Sequence, residues 1–290
     1  MSNHRADPLA LRRGVLAVSV LDDIRLEPGE DGVRLGSDWD EPRWTTVPWS
    51  ALGQALAGAD PESTAGRLRL RDWLRACALA SREGLDLRSR VLPLALPVAH
   101  ALHPGSEWVQ ESVLGGVLDI GLAVQVTDTT SGAESTLVLS PGAAACAGVD
   151  VQSWWAPARD RLDALALLAV ERLSRDATDR LTPMGGCDVL TLLCSRPLRK
   201  YLAACDGTGL RAVAAPMRSR GWSDLARIDP AFVAAAAAAT DDEHRGVARP
   251  LLVTVDEVTV AASTSPTRLA QMALRDPAAL SPARPEAQYR

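Results

Sequence analysis

The chain has 290 residues, 47% of them hydrophobic and 23% charged, enough to bury the core of one large domain or two ordinary ones. Its net charge of -5 excludes a protein that grips nucleic acid through a broad basic face, because counterion release needs clustered cations. A composition this close to the globular average also excludes disorder along the whole length.

Lys200 is the only lysine, so Schiff-base or phosphate-loop chemistry has a single candidate amine. The arginine-for-lysine bias and alanine runs such as 234–239 are what a GC-rich genome produces. Cys77, Cys146, Cys187, Cys194 and Cys205 are scattered with no C-x-x-C pair, which predicts free thiols in a reducing compartment rather than zinc or redox chemistry. Residues 1–13 lack the apolar run of a signal peptide. No stretch approaches the roughly 18 apolar residues of a membrane span. A cytoplasmic protein is the expectation.

In chain order, 14–20 is aliphatic and β-branched and suits an opening strand. Residues 22–26 and 32–35 read as short strands around the Pro28-Gly29 turn. Trp39, Trp44 and Trp49 recur every five residues, which matches neither helix nor strand, so a loop laying indoles over the core edge is predicted. Ser50 is placed to cap a short helix reaching Ala57. After Pro61 an amphipathic helix follows, with Leu68, Trp73, Leu74, Cys77 and Leu79 on its apolar stripe and Gly84 ending it. Pro93 and Pro97 deny 91–98 a helix interior or a central strand, leaving an edge or crossing segment.

A short helix is expected from Glu107 to Leu114. Residues 117–126 and 135–139 are β-prone runs around a Ser-Gly turn and predict an antiparallel hairpin. Over 157–175, Leu162, Leu165, Leu168 (or Ala169) and Leu173 recur at helical steps. The run 187–194 fits a buried strand or part of a helix. Ser195 with Pro197 marks a helix start that runs to about Cys205, and 210–217 is a strand. Read as strand, helix, strand, this stretch is a βαβ-like unit. Residues 230–239 are helical by alanine content. The run 251–261 is a strand bent near Asp256, 267–275 a closing helix and 276–290 a frayed tail. The fold expected is α/β or α+β: a mixed sheet with a β-hairpin-rich part over 1–150 and a βαβ-like part over 151–275.

Motifs of P-loops, zinc proteases, nucleophile elbows and kinases are absent. Gly207-x-Gly209-x-x-Ala212 imitates the dinucleotide fingerprint, but it lies after a helix and before a strand, the reverse of the required order. His100, His103 and Glu107 are residue types that bind metals. Pro104-Gly105 interrupts any helical spacing between them, so partly exposed loop histidines are expected, with no metal and no cofactor. In a parallel sheet, ligands gather beyond the carboxyl ends of strands, beside free helix amides. That reasoning selects Ser195 and Arg196 at a helix start, and Arg218, Arg220 and Trp222 at the end of the next strand. Two arginines two residues apart on an extended strand share a side and could clamp a phosphate or carboxylate.

The run PMRSRGWSDLARIDPAFVAAAAAAT, followed by RPLLVTVDEV, resembles a block from an uncharacterised group of actinobacterial proteins over residues 187–261. The resemblance implies no activity, fold or catalytic residue, and it favours an accessory protein over a familiar enzyme. The functional expectation is a non-catalytic accessory, regulatory or interaction protein of a bacterial cytoplasmic assembly. It would have a protein partner or form a homo-oligomer, using interface-prone tryptophans such as Trp154 and Trp155. The alternative is an enzyme or binding protein for a small anionic metabolite or nucleotide.

Overall fold

The structure is a computed structural model that describes residues 7–36, 43–113, 116–127, 134–238, 243–256 and 258–260. The fold is α+β, with three antiparallel sheets and helices packed around them. The chain divides into two compact units, one of residues 1–165 and 184–187, the other of 166–183 and 188–290. The division falls inside a helix, whereas the sequence places a boundary near 150.

The first unit opens with helix α1 (Pro8–Leu21), where the sequence predicts a strand. Local signals explain the difference. The Asp7 carboxylate accepts the Leu9 N–H at 3.0 Å, and Pro8 sits in the first turn, a helix start that needs no tertiary help. Leu11, Val15 and Val18 then fall on one buried face, and their burial outweighs the weak strand preference of the valines. β1 (Leu26–Pro28), β2 (Gly32–Gly36) and β3 (Trp44–Pro48) form a three-stranded meander in that order. Trp44 and Trp49 therefore lie in a strand and at the start of α2 (Trp49–Ala55), not in a loop, and Trp39 falls outside the described residues. Pro48, not Ser50, holds the cap position of α2.

Helix α3 (Thr64–Glu83) is the framework of this unit. The Ser63 hydroxyl accepts the Gly66 N–H at 3.0 Å, and Gly84 at φ 58 ends the helix as expected. Leu70, Leu74, Cys77 and Ala80 enter a large apolar cluster with α1 and the meander. Leu68 enters a smaller one with Leu94, Leu96, Leu102 and Trp108.

The second sheet is built on β6 (Leu118–Thr127). β4 (Val91–Pro97) pairs along one side of it, while β5 (Glu111–Val113) and β7 (Glu134–Val138) share the other. The β6–β7 pair is the expected hairpin, and β4 is an edge strand, as its prolines require. The expected helix over 107–114 is instead a single 3₁₀ turn, Ser106–Trp108, followed by β5. Alternation along β6 sends Leu122 and Val124 to the large cluster and Ala123 to the small one, so both faces are covered and the run 120–124 carries no polar side chain. Gly121 lies against Trp108, where a Cβ would run into the indole ring and the Trp108 carbonyl. α4 (Pro141–Cys146) follows, capped by the Ser140 hydroxyl at 3.2 Å from the Ala143 N–H. After α5 (Trp155–Asp176), the chain contributes Met184–Cys187 to this unit. There the Gly186 carbonyl accepts the Thr136 hydroxyl at 3.3 Å.

The second unit has a five-stranded sheet in the order β12-β11-β9-β10-β8. These strands are β8 (Arg180–Leu181), β9 (Arg211–Met217), β10 (Arg220–Trp222), β11 (Arg245–Val253) and β12 (Val258–Val260), with α6 (Val189–Leu193), α7 (Arg196–Ala204) and α8 (Pro230–Ala238) between them. The βαβ-like unit is not formed. Residues 189–193 are helical, and every strand pair in the sheet is antiparallel. Asp188 settles that ambiguity by capping the helix, its Oδ1 accepting the Thr191 N–H at 2.8 Å. The predicted strand over 251–261 is the end of β11 plus β12, folded back as a hairpin. The proposed closing helix 267–275 and tail 276–290 lie outside the described residues.

The close approach at Gly121 yields a direct test. Gly121→Ala is expected to lower unfolding stability by about 1–3 kcal/mol through overpacking. Urea denaturation followed by circular dichroism measures it, with an unchanged m-value marking an effect on the native state.

Candidate functional site

The residues selected from sequence all lie in the second unit, and each has a defined place. Ser195 occupies the cap position of α7, but its hydroxyl turns inward and donates to the Leu192 carbonyl at 2.7 Å. It is fully buried and offers no oxygen to a ligand. Arg196 is exposed, with its guanidinium 3.8 Å from Asp256. Arg199, which the sequence reading passed over, is the buried arginine of this helix and donates to the Cys194 and Val255 carbonyls.

Arg218 and Arg220 do not share one side of an extended strand. Met217 pairs with Arg220, so Arg218 and Ser219 form the turn of the β9–β10 hairpin. Arg218 is held at the base of that turn. Its Nε donates to Asp188 Oδ2 at 2.6 Å and its Nη1 to the Glu243 carbonyl at 3.2 Å. Its own carbonyl accepts the Val189 N–H, and its N–H donates to the His244 carbonyl, both at 2.9 Å. Arg220 is exposed. Trp222 is half-buried and packs against Phe232, with ring centroids 5.5 Å apart.

The electrostatics follow from these contacts. Arg218 and Asp188 side chains are each 12% exposed, so the guanidinium is paired with its counter-charge inside the protein. A second cluster has the same character. Arg211 donates to the Ser223 carbonyl at 2.9 Å and lies 3.0 Å from Asp224, with Asp179 at 3.8 Å. Both clusters fasten strands and turns of the sheet. Of the five residues named from sequence, Ser195, Arg218 and Trp222 are each engaged with different partners inside the protein, and Arg196 and Arg220 present charge to solvent.

Other chemistry can be placed as well. Among the described residues, no group of three or more His, Cys, Asp or Glu side chains could hold a metal ion. No helix among them is long and apolar enough to cross a membrane. His100 and His103 are buried rather than partly exposed, and His103 meets Asp119 at 3.0 Å from Nε2 to Oδ2, while Ser112 donates to the other carboxylate oxygen at 2.5 Å. The carboxylate lies between serine and imidazole, so the histidine cannot take the serine proton as a catalytic base would. An open depression of about 340 Å3 beside α4 has Asp150 as its one ionisable lining group, and that carboxylate already accepts the Gln152 N–H. The five cysteines are free thiols. Burial pushes the Cys77 thiol up to about 12 and raises that of Cys146, whereas Cys205 is exposed.

Among the described residues, no tryptophan is exposed. Trp73, Trp108 and Trp154 are buried, and Trp44, Trp49, Trp155 and Trp222 are half-buried. Arg25 and Arg34 lie over the Trp44 ring at 5.0 and 4.7 Å, and Arg12 over Trp49 at 5.3 Å. Exposed large apolar side chains occur at several places, Leu167 and Leu168 of α5 among them, and four of them lie on α1. Leu9, Leu16, Val20 and Leu21 are 63%, 43%, 82% and 64% exposed. Single exposed leucines are ordinary. Leu9, Leu16 and Val20, however, are seven and four residues apart, so they align on the face opposite Leu11, Val15 and Val18. The signal was present in the sequence as apolar residues on both faces of a helical period, and reading 14–20 as a strand concealed it.

Two measurements test this description. Asp188→Asn leaves Arg218 buried without its counter-charge and is expected to cost about 3–5 kcal/mol, while Asp188→Leu combined with Arg218→Met recovers a large part of the loss; chemical denaturation of the three variants decides. In the native protein at pH 8, iodoacetamide is expected to modify Cys205 first and Cys77 only on unfolding, as read by peptide mass spectrometry. No family model matches this chain, and no curated protein or solved structure is significantly similar to it.

Proposed function

We propose that this chain is a non-catalytic accessory or interaction protein of a bacterial cytoplasmic assembly and that it docks a protein partner on the outer face of α1. The single observation carrying this reading is the line of Leu9, Leu16 and Val20 on a helix whose opposite face is already in the core. An apolar helix face is a recurrent mode of protein recognition. Supporting it, Arg218, one of the three arginines selected for anion binding, is already taken by Asp188. The resemblance of 187–261 to actinobacterial proteins is what favours a bacterial setting.

The charges beside the stripe favour a different protein over a second copy. Arg12 and Arg13 lie between Leu9 and Leu16 in the chain, and Arg13 reaches Glu62 at 2.7 Å with both side chains exposed. Two copies packed antiparallel through this face would bring four arginines together, whereas an amphipathic helix with an acidic rim would meet complementary charge.

The test places a photoreactive amino acid at position 16 of the full chain in its host and compares it with the Leu16→Glu, Val20→Glu double variant. Each buried Leu or Val contributes about 1.5–3 kcal/mol to docking. The double variant is therefore expected to weaken a purified partner's binding by at least about a hundredfold while stability stays within about 0.5 kcal/mol. Absence of any adduct, with thermal stabilisation by an anionic metabolite that Arg220→Ala abolishes, overturns this reading in favour of a small-anion binder.

A further inference from the structure

The segment between β4 and β5, residues 98–110, has little regular structure, yet His100, Leu102, His103 and Trp108 are all buried. Leu102 and Trp108 pack it into the smaller apolar cluster, and its side-chain hydrogen bonds include a set centred on His103. Imidazole Nδ1 accepts the Gly105 N–H at 3.1 Å, while Nε2 faces Asp119 Oδ2 at 3.0 Å. An N–H can donate only to an unprotonated ring nitrogen, so these two contacts together specify neutral imidazole with its proton on Nε2. The ring also packs edge-on against Trp108, at 5.6 Å between centroids, and the indole N–H donates to the Leu122 carbonyl at 2.7 Å. His103 therefore joins the segment's own turn to β6 and abuts its one large aromatic anchor.

We propose that His103 is an acid-sensitive latch: protonation at Nδ1 breaks its bond from Gly105 and releases segment 98–110 while the β4–β6 pairing on either side stays closed. The imidazolium has two donors and no acceptor, so the Gly105 N–H would face an N–H across a buried contact. In a released segment both groups turn to water, where the charged ring is at no disadvantage.

The surrounding charges fix the direction. Asp119 on β6 favours the imidazolium, but its other oxygen is already committed to the Ser112 hydroxyl. Arg69 on α3 opposes the imidazolium as a like charge, its guanidinium held by the Ala101, Leu56 and Ala57 carbonyls. Asp72, one turn further along α3, is taken by Arg71 at 2.8 Å. Glu111 on β5 has Arg159 at 3.8 Å. β4 carries no ionisable side chain, and α4 carries only Cys146. Within the segment, Glu107 is exposed, and His100 Nδ1 accepts the Leu102 N–H at 3.2 Å. Burial outweighs the Asp119 attraction and holds His103 below the ordinary histidine range. A depressed histidine stabilises the closed state fully above its ordinary value near 6.5 and loses that contribution as pH falls through its lowered value.

This latch lies apart from the α1 face and does not depend on the docking reading. The experiment is hydrogen exchange by mass spectrometry on the full chain between pH 7.5 and 5.5, corrected for intrinsic exchange rates. Amides of 102–109 are expected to open progressively more often on acidification below about pH 6.5, while those of β4 and β6 hold constant. His103→Gln keeps a donor toward Asp119 and cannot titrate, so its response over 102–109 should be flat. An equal response in H103Q, or a uniform rise in exchange along the chain, overturns the proposal. Should H103Q fail to fold, proton NMR titration of the wild-type histidines decides: an imidazole for His103 with a midpoint at or above 6.5 overturns the latch, and a lower one that tracks the exchange supports it.

Discussion

The Asp188 carboxylate has two oxygens and two obligations, and the second unit is arranged around meeting both. One oxygen caps α6 through the Thr191 N–H, and the other receives the Arg218 guanidinium. An ionised carboxylate removed from water is tolerable only with such partners. Meeting them fixes where the α6 N-terminus stands against the β9–β10 turn. The backbone bonds from Val189 to Arg218 and from Arg218 to His244 lie over the same point, so helix, hairpin and the approach to β11 are set by one ion pair. The Arg211–Asp224 pair repeats this device elsewhere on the sheet.

The first unit solves a different problem with apolar surface. α3 faces two clusters, and β6 divides its alternating side chains between them. Trp108 fills the smaller cluster so closely that only glycine fits opposite it at 121. Polar groups enter this interior as the His103–Asp119–Ser112 chain, where every oxygen and nitrogen of the trio has a partner. Rigidity here comes from packing, and selectivity for one arrangement of 98–110 comes from hydrogen bonds.

Local physics made a good part of this legible in sequence. The α3 and α5 helices, the β6–β7 hairpin and the edge position of β4 follow from apolar period, turn residues and the missing proline N–H. α1 was hidden because its valines suit strands, while the decisive Asp7-Pro8 start lies just before them. The run 187–194 was open between strand and helix, and only the capping carboxylate at 188 distinguishes them. The candidate site failed for a non-local reason. Whether Arg218 is free to bind an anion depends on Asp188, 30 positions earlier, and no periodicity reports such a pair. Asp119 carried a readable sign, being a lone carboxylate inside an otherwise apolar strand. Its partner His103, however, is joined to it only through the intervening fold.

The four residues Met184–Cys187 belong to the first unit although the chain before and after them belongs to the second. Both glycines there have positive φ, and side chains at 185 and 186 would meet Leu165 and Leu92. Neither unit is therefore written in the gene as one uninterrupted stretch. A recombination event that moved residues 1–165 into another reading frame would carry an incomplete body, missing the piece that accepts Thr136. Such interleaving works against exchange of either half as a cassette, and it binds the evolutionary fates of the two together.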